Sequence, residues 1–296
     1  MRDYEWTITY PGTSFTWGYP WDEVINLTAP DLGAPELRVD DADQPRRDGR
    51  LFGVDYRSGT TITFEVGLST RAGEAAVRDL AERMRQVWRA DVLRGIPGAV
   101  AELRARHVGR ERVTYGRPRR WATVDQLAPR GYIPGVATFE TADDLWYGPD
   151  VFSETLAITP PLGGGLVGSL SAPLTSTGES DRSQAITVGG ALPAWPVITI
   201  AGPITNPVVE MVGLWRFELL ASLAYDRTVT IDTRPWVRSV VLNQAGGSLA
   251  GALTRQSPRL ADAGIPPGTY EAVLRGIDAT GTARATVAWQ ETYSSL

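Results

Sequence analysis

The sequence of 296 residues contains no cysteine and no lysine, and it has one histidine, His107. Without cysteine the chain forms no disulfide and offers no thiolate nucleophile or thiolate metal ligand. Without lysine it offers no Schiff base and no phosphate-loop lysine, and all 29 cationic side chains of the Lys and Arg class are arginine. We therefore expect a protein that is not an enzyme, with no catalytic residues, no cofactor and no metal.

Long apolar runs are also missing. None approaches the roughly 18 residues that a membrane-spanning helix needs, and residues 1–5 are too charged for the start of a secretory signal peptide. The net charge of −5 is unlike that of a basic nucleic-acid-binding protein. These features predict a protein made in the cytoplasm without membrane insertion.

What the sequence has in abundance is turn residues and alternating strands. Its 31 glycines and 21 prolines favour many turns and short strands over long helices. Apolar and polar residues alternate with the period of two that is typical of half-buried strands. The alternation is clear in residues 4–10, 61–68, 215–219 and 283–290. The pattern predicts a mainly β protein.

One segment has the period of a helix instead. From residue 70 to about 94, Val77, Leu80, Met84, Val87 and Trp88 recur at spacings of three and four, with charged residues opposite them. A single amphipathic helix has to bury its apolar stripe on a sheet. We therefore predict an α+β first domain, a β sandwich or barrel with this one helix against it.

The domain boundary is predicted near residue 148. Residues 1–148 form the first domain, and residues 149–296 form a β sandwich with a flexible segment at 160–183 that is rich in Gly, Pro, Ser and Thr. The Gly-rich run 160–168 lacks the Lys-Ser/Thr of a phosphate-binding loop. It is predicted to be a hinge or a mobile loop.

Two charged regions of the first domain are candidate contact sites. The arginine-rich stretch 104–120 favours contact with a neighbouring subunit or a solvated face, although Tyr115 and Trp121 beside it would also suit nucleic-acid stacking. The acidic residues of a polar loop at 40–50 suit these arginines as partners in another subunit. The predicted subunit-contact residues are Asp40, Asp41, Asp43, Asp48, Arg112, Arg117 and Arg119.

Acidic pairs and tryptophans suggest two further hypotheses. Asp143 and Asp144 lie near a strand end, where glycosidase acids or calcium ligands can sit, but such acids are commonly turn residues. Among the ten tryptophans, Trp17, Trp21 and Trp236 lie among turn residues and are predicted to be exposed. Of these, Trp236 is the candidate for surface recognition, for example of a sugar.

Several short motifs in both halves of the chain point to one family. In the second half they are residues 196–207, 230–234, 240–243, 253–255, 267–268, 287–289 and Tyr293. In the first half they are residues 60–64, 113–119, Phe139 and 143–147. With these motifs the sequence resembles the distal tail proteins of phages with long non-contractile tails, and the resemblance extends over nearly the whole chain.

The resemblance implies a fold, a place in the virion and a set of partners. It implies a tail-tube-like first domain that forms a homo-hexameric ring and lines the DNA exit channel, and a galectin-like jelly-roll sandwich outside it. The expected partners are the tail tube protein, the tape measure protein and a tail-associated hub protein at the distal end of the tail. Genomic DNA would pass through without specific binding.

Three alternatives stay open beside the distal tail protein. The chain could be another minor tail or baseplate protein, a carbohydrate-binding module that contacts sugar of the host cell wall, or a glycoside hydrolase of the cell wall, which needs two carboxylates at a cleft. Affinity for host polysaccharide that is lost in Trp236→Ala would favour the module.

Overall fold

The computed structural model describes residues 1–158, 183–243 and 246–296. The Gly-rich run 160–168 and the predicted flexible segment 160–183, apart from its last residue, lie outside the described residues. The chain divides into two compact units, Met1–Pro149 with Tyr293–Leu296, and Asp150–Thr292. The last four residues therefore belong to the first unit, whereas the sequence suggested that they belong to the second. In the part of the chain that the structure describes, no helix is long and apolar enough to cross a membrane.

The first unit is a strongly curved antiparallel sheet with one long helix. Its helices are α1 (Glu74–Arg89) and α2 (Asp91–Arg94), with a 3₁₀ helix at Asp125–Arg130. Its strands are β1 (Trp6–Tyr10), β2 (Thr13–Trp17), β3 (Val24–Asn26), β4 (Leu37–Arg38), β5 (Ala42–Asp43), β6 (Arg50–Leu51), β7 (Tyr56–Arg57), β8 (Thr61–Ser69), β9 (Ala101–His107), β10 (Arg110–Thr123), β11 (Tyr132–Thr141) and β12 (Trp146–Tyr147).

The main sheet nearly closes into a barrel. Its strands follow the order β2, β1, β9, β10, β11, β8, β3, and β12 pairs with β10. The two ends approach each other where Gly18 bridges Ile25 and the Gly18 N–H donates to the Val24 carbonyl at 2.9 Å. Closure satisfies backbone groups that an open edge would leave unpaired.

Helix α1 packs its apolar stripe against the apolar face of the main sheet. It buries Val77, Leu80, Ala81, Met84, Val87 and Trp88, the stripe that the sequence predicts. The sequence predicts limits of 70 and about 94, whereas the observed helix runs from Glu74 to Arg89. Gly73 precedes it, and Ala90, a residue with a left-handed φ of 44°, follows it. A straight continuation would turn Asp91 onto the buried stripe. The break at Ala90 instead leaves Asp91 beside Arg89 at 2.6 Å and buries Leu93.

Aromatic side chains form the centre of this core. Trp88 contacts Trp17 and Phe64 edge-on, with ring centroids 5.4 and 6.3 Å apart, and its indole N–H donates to the Thr138 carbonyl at 3.0 Å. Trp17 is fully buried, so the prediction that it is exposed is wrong. It ends strand β2 and faces the core, as the alternation from Phe15 would place it. Trp21 is 87% exposed.

The second unit is a sandwich of two antiparallel sheets. Its strands are β13 (Phe152–Ala157), β14 (Ser183–Val188), β15 (Val197–Ala201), β16 (Ile204–Met211), β17 (Trp215–Glu218), β18 (Ser222–Leu223), β19 (Thr228–Asp232), β20 (Ser239–Leu242), β21 (Gly247–Ser248), β22 (Gly268–Ile277) and β23 (Arg284–Trp289), and β24 (Thr292–Tyr293) links the units. One sheet has the order β13, β23, β15, β19, β20, β21, and the other has β14, β22, β16, β17 with β18 beside β16. The apolar side chains of both sheets form one core. The mainly β fold class predicted from the sequence is confirmed.

Candidate functional site

Residues 36–58 form a two-stranded arm of the first unit. Strand β4 pairs with β7 and β5 pairs with β6. At its base, the Glu36 N–H donates to Ser58 Oγ and the Ser58 N–H donates to the Glu36 carbonyl, both at 3.0 Å. Gly53 lets the two halves approach closely, because a Cβ there would lie 1.9 Å from the Asp40 carbonyl oxygen. The sequence predicts a long exposed loop for residues 40–50, and the pairing into an arm goes beyond that prediction.

The arm exposes large apolar side chains. Phe52 is 85% exposed, although phenylalanine is a residue that folding usually buries. The other exposed apolar side chains of the arm are Leu37, Val39, Leu51, Val54 and Tyr56. Contiguous exposed apolar surface commonly marks a protein–protein contact site. The arm therefore has the surface of an element that packs on something else.

The predicted acidic contact residues all lie on this arm. Asp41 and Asp43 share Arg50, at 3.7 and 3.6 Å, and Asp41 also accepts the Gly53 N–H at 3.1 Å. Asp40 and Asp48 are exposed and form no ion pair within the described part of the chain. Two of the acids thus help to shape the arm, and two are available for a partner.

The predicted contact arginines are engaged by groups of their own unit. Arg112 lies over the Tyr293 ring, 3.6 Å from its centroid. Arg117 donates to the carbonyls of Ala99 and Ile96 at 2.6 and 2.7 Å, and Arg119 donates to Glu140 at 2.5 Å. The structure does not pair the arm acids with these arginines within one chain, over the residues that it describes. Their contact across a subunit boundary stays a prediction.

A pair of acids anchors the base of the arm. Arg57, on β7, lies 3.1 Å from Asp144. The neighbouring Asp143 accepts the Tyr147 hydroxyl at 2.7 Å and the Leu145 N–H at 3.1 Å. Burial raises the pKa of Asp143 to about 6, and the charge of Asp144 adds to this shift, although the hydrogen bonds from Tyr147 and Leu145 oppose it. Asp143, which the sequence offers as a candidate glycosidase acid, therefore forms hydrogen bonds within a turn. Asp144, the other member of that pair, forms an ion pair.

We expect Asp143→Asn to remove a pH dependence of stability. The pKa of Asp143 in the folded chain exceeds its ordinary value, so the folded state binds more protons and loses stability as the pH rises from about 4 to about 6. At pH 7 the free energy of unfolding of the variant should equal that of the parent or exceed it by up to about 2 kcal/mol. Urea unfolding at a series of pH values measures this, with the half-exposed Asp125→Asn as control. An unchanged pH profile in Asp143→Asn would contradict the expectation.

A second feature of the first unit is an apolar pocket of about 560 Å³. Its walls come from strand β1, the segment before the arm, the end of β9 and the last residue. The lining residues are Tyr4, Trp6, Gly18, Pro20, Asn26, Leu27, Thr28, Ala29, Pro30, Leu32, Ala105, Arg106, His107 and Leu296. Its volume is within the range of ligand and side-chain binding pockets.

Two polar atoms of the pocket residues are buried without hydrogen-bond partners. They are Asn26 Oδ1, an acceptor, and Arg106 Nε, a donor that lies 3.4 Å from Asp3. Buried polar atoms are normally paired, and the ion pair with Asp3 is the contact that Arg106 Nε has within the described chain. The sequence does not predict this pocket.

His107 lies at the rim of the pocket rather than in a catalytic arrangement. Its ring meets Tyr4 edge-on with centroids 5.0 Å apart. Within residues 1–158, 183–243 and 246–296, no three His, Asp or Glu side chains converge as metal ligands. The pocket therefore offers mainly apolar packing surface.

In the second unit, Trp236 is half-buried instead of standing free. The Arg234 guanidinium lies 5.5 Å from its ring centroid, and Arg234 also pairs with Asp232 at 2.6 Å. An arginine over the ring occupies a face on which a sugar would stack. The role of Trp236 in surface recognition stays a prediction.

Comparisons with known proteins identify the fold that carries these features. No family model matches the sequence, and no curated protein is significantly similar to it. Among solved structures, the chain is similar to the SPP1 Dit (gp 19.1) protein, described as a paradigm of the hub adsorption apparatus in phages that infect Gram-positive bacteria. The match has a TM-score of 0.58 and 12% identity over 97% of this chain and 98% of that chain.

A second solved structure agrees. A chain of the phage P2 baseplate, in its activated conformation with Ca, matches with a TM-score of 0.53 and 14% identity over 96% of this chain and 97% of that chain. Both matches extend over both units. The chain therefore has the fold of a phage Dit protein, which confirms the fold implied by the motif resemblance.

Proposed function

We propose that this protein is a structural component of a phage tail, a distal tail protein whose first unit forms a hexameric ring at the end of the tail tube. The observation that carries the proposal is the full-length likeness in fold to the SPP1 Dit protein, with both units included. In this proposal the ring continues the tail tube, lines the DNA exit channel and joins the adsorption apparatus. Its role is assembly rather than catalysis.

The surfaces of the first unit support an assembly role. The arm exposes apolar side chains that nothing within the described chain covers, and subunit association would bury them. Asp40 and Asp48 on the same arm are available for a neighbour's cations. Repetition of one such contact closes a ring when its rotation divides a full turn.

The arginine-rich strands are compatible with the passage of DNA. Arg104 pairs with Glu102 and Glu111 at 2.9 Å, and Arg119 pairs with Glu140. Cations that are already paired gain less from phosphate, so these strands would hold a passing duplex weakly. We therefore expect the genome to pass without specific binding.

Rings and virion location test the proposal. We expect negative-stain images of the concentrated protein to show six-fold rings, and antibodies against the protein to label the distal end of purified phage tails. The tail tube, tape measure and hub proteins are the partners expected in pull-downs from such tails. A protein that is absent from purified virions would contradict the proposal.

A further inference from the structure

We propose that Asp48 and Gly49 form a site of spontaneous covalent modification, at which the main chain isomerises from aspartate to isoaspartate through a cyclic imide. The two residues lie in the turn that links β5 and β6 of the arm. The inference is argued from the chemistry and the surroundings of these two residues, and it does not depend on the proposed function.

The sequence singles out this pair. The imide forms when the amide nitrogen of the following residue attacks the side-chain carboxyl carbon of an aspartate. A side chain on the following residue shields that nitrogen, and glycine has none. Asp48 is the only aspartate in the chain that a glycine follows, and none of the asparagines precedes a glycine.

The structure leaves both reacting groups free. Over the part of the chain that the structure describes, the exposed Asp48 carboxylate forms no ion pair or hydrogen bond, and the Gly49 N–H donates to no acceptor. Hydrogen bonds normally hold such groups in place, so neither a charge nor an acceptor has to be displaced before the attack. The one backbone contact of Gly49 is its carbonyl, which accepts the Gln44 N–H at 3.1 Å.

The turn also has room for the ring. Gly49 has a φ of 117°, a value that glycine adopts readily and other residues rarely do. A Cβ built on Gly49 would meet no atom closer than Gln44 Nε2 at 3.6 Å. Exposed turns of this kind are where chains tolerate local rearrangement. The backbone at Asp48 and Gly49 can therefore rotate into the geometry of the imide without unfolding the barrel.

The other acids of the arm lack one or more of these conditions. Asp41 and Asp43 share Arg50, and Asp41 also accepts the Gly53 N–H. Asp40 and Asp55 are exposed, but residues with side chains, Asp41 and Tyr56, follow them. The arm is therefore predicted to react at Asp48.

The chemistry needs no cofactor and no oxidant. The Gly49 nitrogen forms a bond to Asp48 Cγ, the Cγ–OH bond of the acid form breaks, and the hydroxyl leaves with the amide proton as water. The product is a five-membered succinimide. Water then adds to one of its two carbonyl carbons and breaks that carbon's bond to nitrogen. Opening at Cγ restores aspartate, whereas opening at the main-chain carbonyl leaves the chain running through Cγ, which is isoaspartate.

The isomer lengthens the turn. The Asp48 Cβ enters the main chain, and a carboxylate remains on its Cα. Strands β5 and β6 pair only through Ala42 with Leu51 and Asp43 with Arg50. Turn length sets the register of a hairpin, so the longer turn should disturb this short ladder. The modification therefore changes the shape of the arm as well as its covalent structure.

Ageing of the purified full-length protein at physiological temperature tests the site. An isoaspartate-specific methyltransferase with labelled S-adenosylmethionine measures the product, and peptide mapping locates it. We expect methyl incorporation to rise with time and to fall on the peptide that contains residues 48 and 49. A transient form of that peptide should be lighter by one water. No incorporation after prolonged ageing, or incorporation mainly at other aspartates, would overturn the proposal.

Two substitutions at residue 48 test the imide route. Asp48→Glu should abolish the signal, because its longer side chain would have to close a less favourable six-membered ring. Asp48→Asn should increase the rate, because its side chain reaches the same imide by loss of ammonia. Asp43→Glu, a change of the same kind at the paired acid of the arm, is the control and should leave the signal unchanged. A signal that persists in Asp48→Glu would refute the assignment.

A peptide with the sequence of residues 44–53 tests the structural part of the inference. Because the fold leaves Asp48 and Gly49 unheld, the folded protein and the peptide should form isoaspartate at the same rate. A rate in the folded protein that is far below that of the peptide would show that the arm protects the site, and it would overturn the inference. Absence of the protein from virions would remove the proposed tail function and leave these results unaltered.

Discussion

Trp88→Ala is expected to destabilise the first unit by about 3–5 kcal/mol, the cost that removal of a buried aromatic ring typically has. Trp88 is 1% exposed, contacts Trp17 and Phe64, and donates to the Thr138 carbonyl. The substitution therefore opens a cavity between helix α1 and the barrel and leaves that carbonyl without its donor. A loss of this size is a large part of the stability of an ordinary domain. Calorimetry and urea unfolding measure it.

Trp21→Ala is the matched control for Trp88→Ala. It removes the same side chain from a position that is 87% exposed. The free energy of unfolding should change by less than about 0.5 kcal/mol, as is usual for surface substitutions. Equal losses in the two variants would mean that Trp88 is not at the centre of the core.

Asp278→Ala is expected to cost the second unit about 2–4 kcal/mol, because a buried acceptor of several hydrogen bonds is lost. Asp278 is 4% exposed and lies in the turn between β22 and β23. It accepts the Thr280 N–H and the Ala283 N–H at 2.8 Å and the Thr280 hydroxyl at 2.6 Å. Without the carboxylate these donors lose their partner and the turn loses its shape. Thermal unfolding of parent and variant measures the difference.

The same residue predicts acid sensitivity. Burial raises the pKa of Asp278, but the hydrogen bonds from Thr280, Ala283 and Gly281 outweigh it and hold the pKa at about 2. The folded pKa lies below the ordinary value, so its contribution is present above about pH 4 and is lost as the pH falls toward 2. Asp278→Ala should flatten that part of the stability profile.

Much of the fold follows from periodicity along the chain. Residues 61–68 alternate because one face of β8 meets the core, and residues 77–88 follow a helical period because one stripe of α1 meets the same core. The limits of the helix are harder to predict, since Gly73 begins it without a side-chain cap and Ala90 ends it in a left-handed conformation. The sequence pattern predicts a start at residue 70, four residues before the observed start at Glu74.

The candidate site is less visible in the sequence. The acids of residues 40–50 point to an exposed polar segment, but the strands of the arm are two residues long, too short for any alternation. The pocket joins Tyr4, Ala29, His107 and Leu296, which the fold brings together from distant parts of the chain. No local pattern predicts such a meeting, because it depends on how the sheet curves.

The return of residues 293–296 to the first unit has a mechanical consequence. The chain crosses between the units twice, once near Pro149 and once near Thr292. A single proteolytic cut at either crossing therefore leaves the second unit covalently tethered through the other. Release of the second unit therefore requires both junctions to be cut. Its exchange for another module requires both to be cut and rejoined.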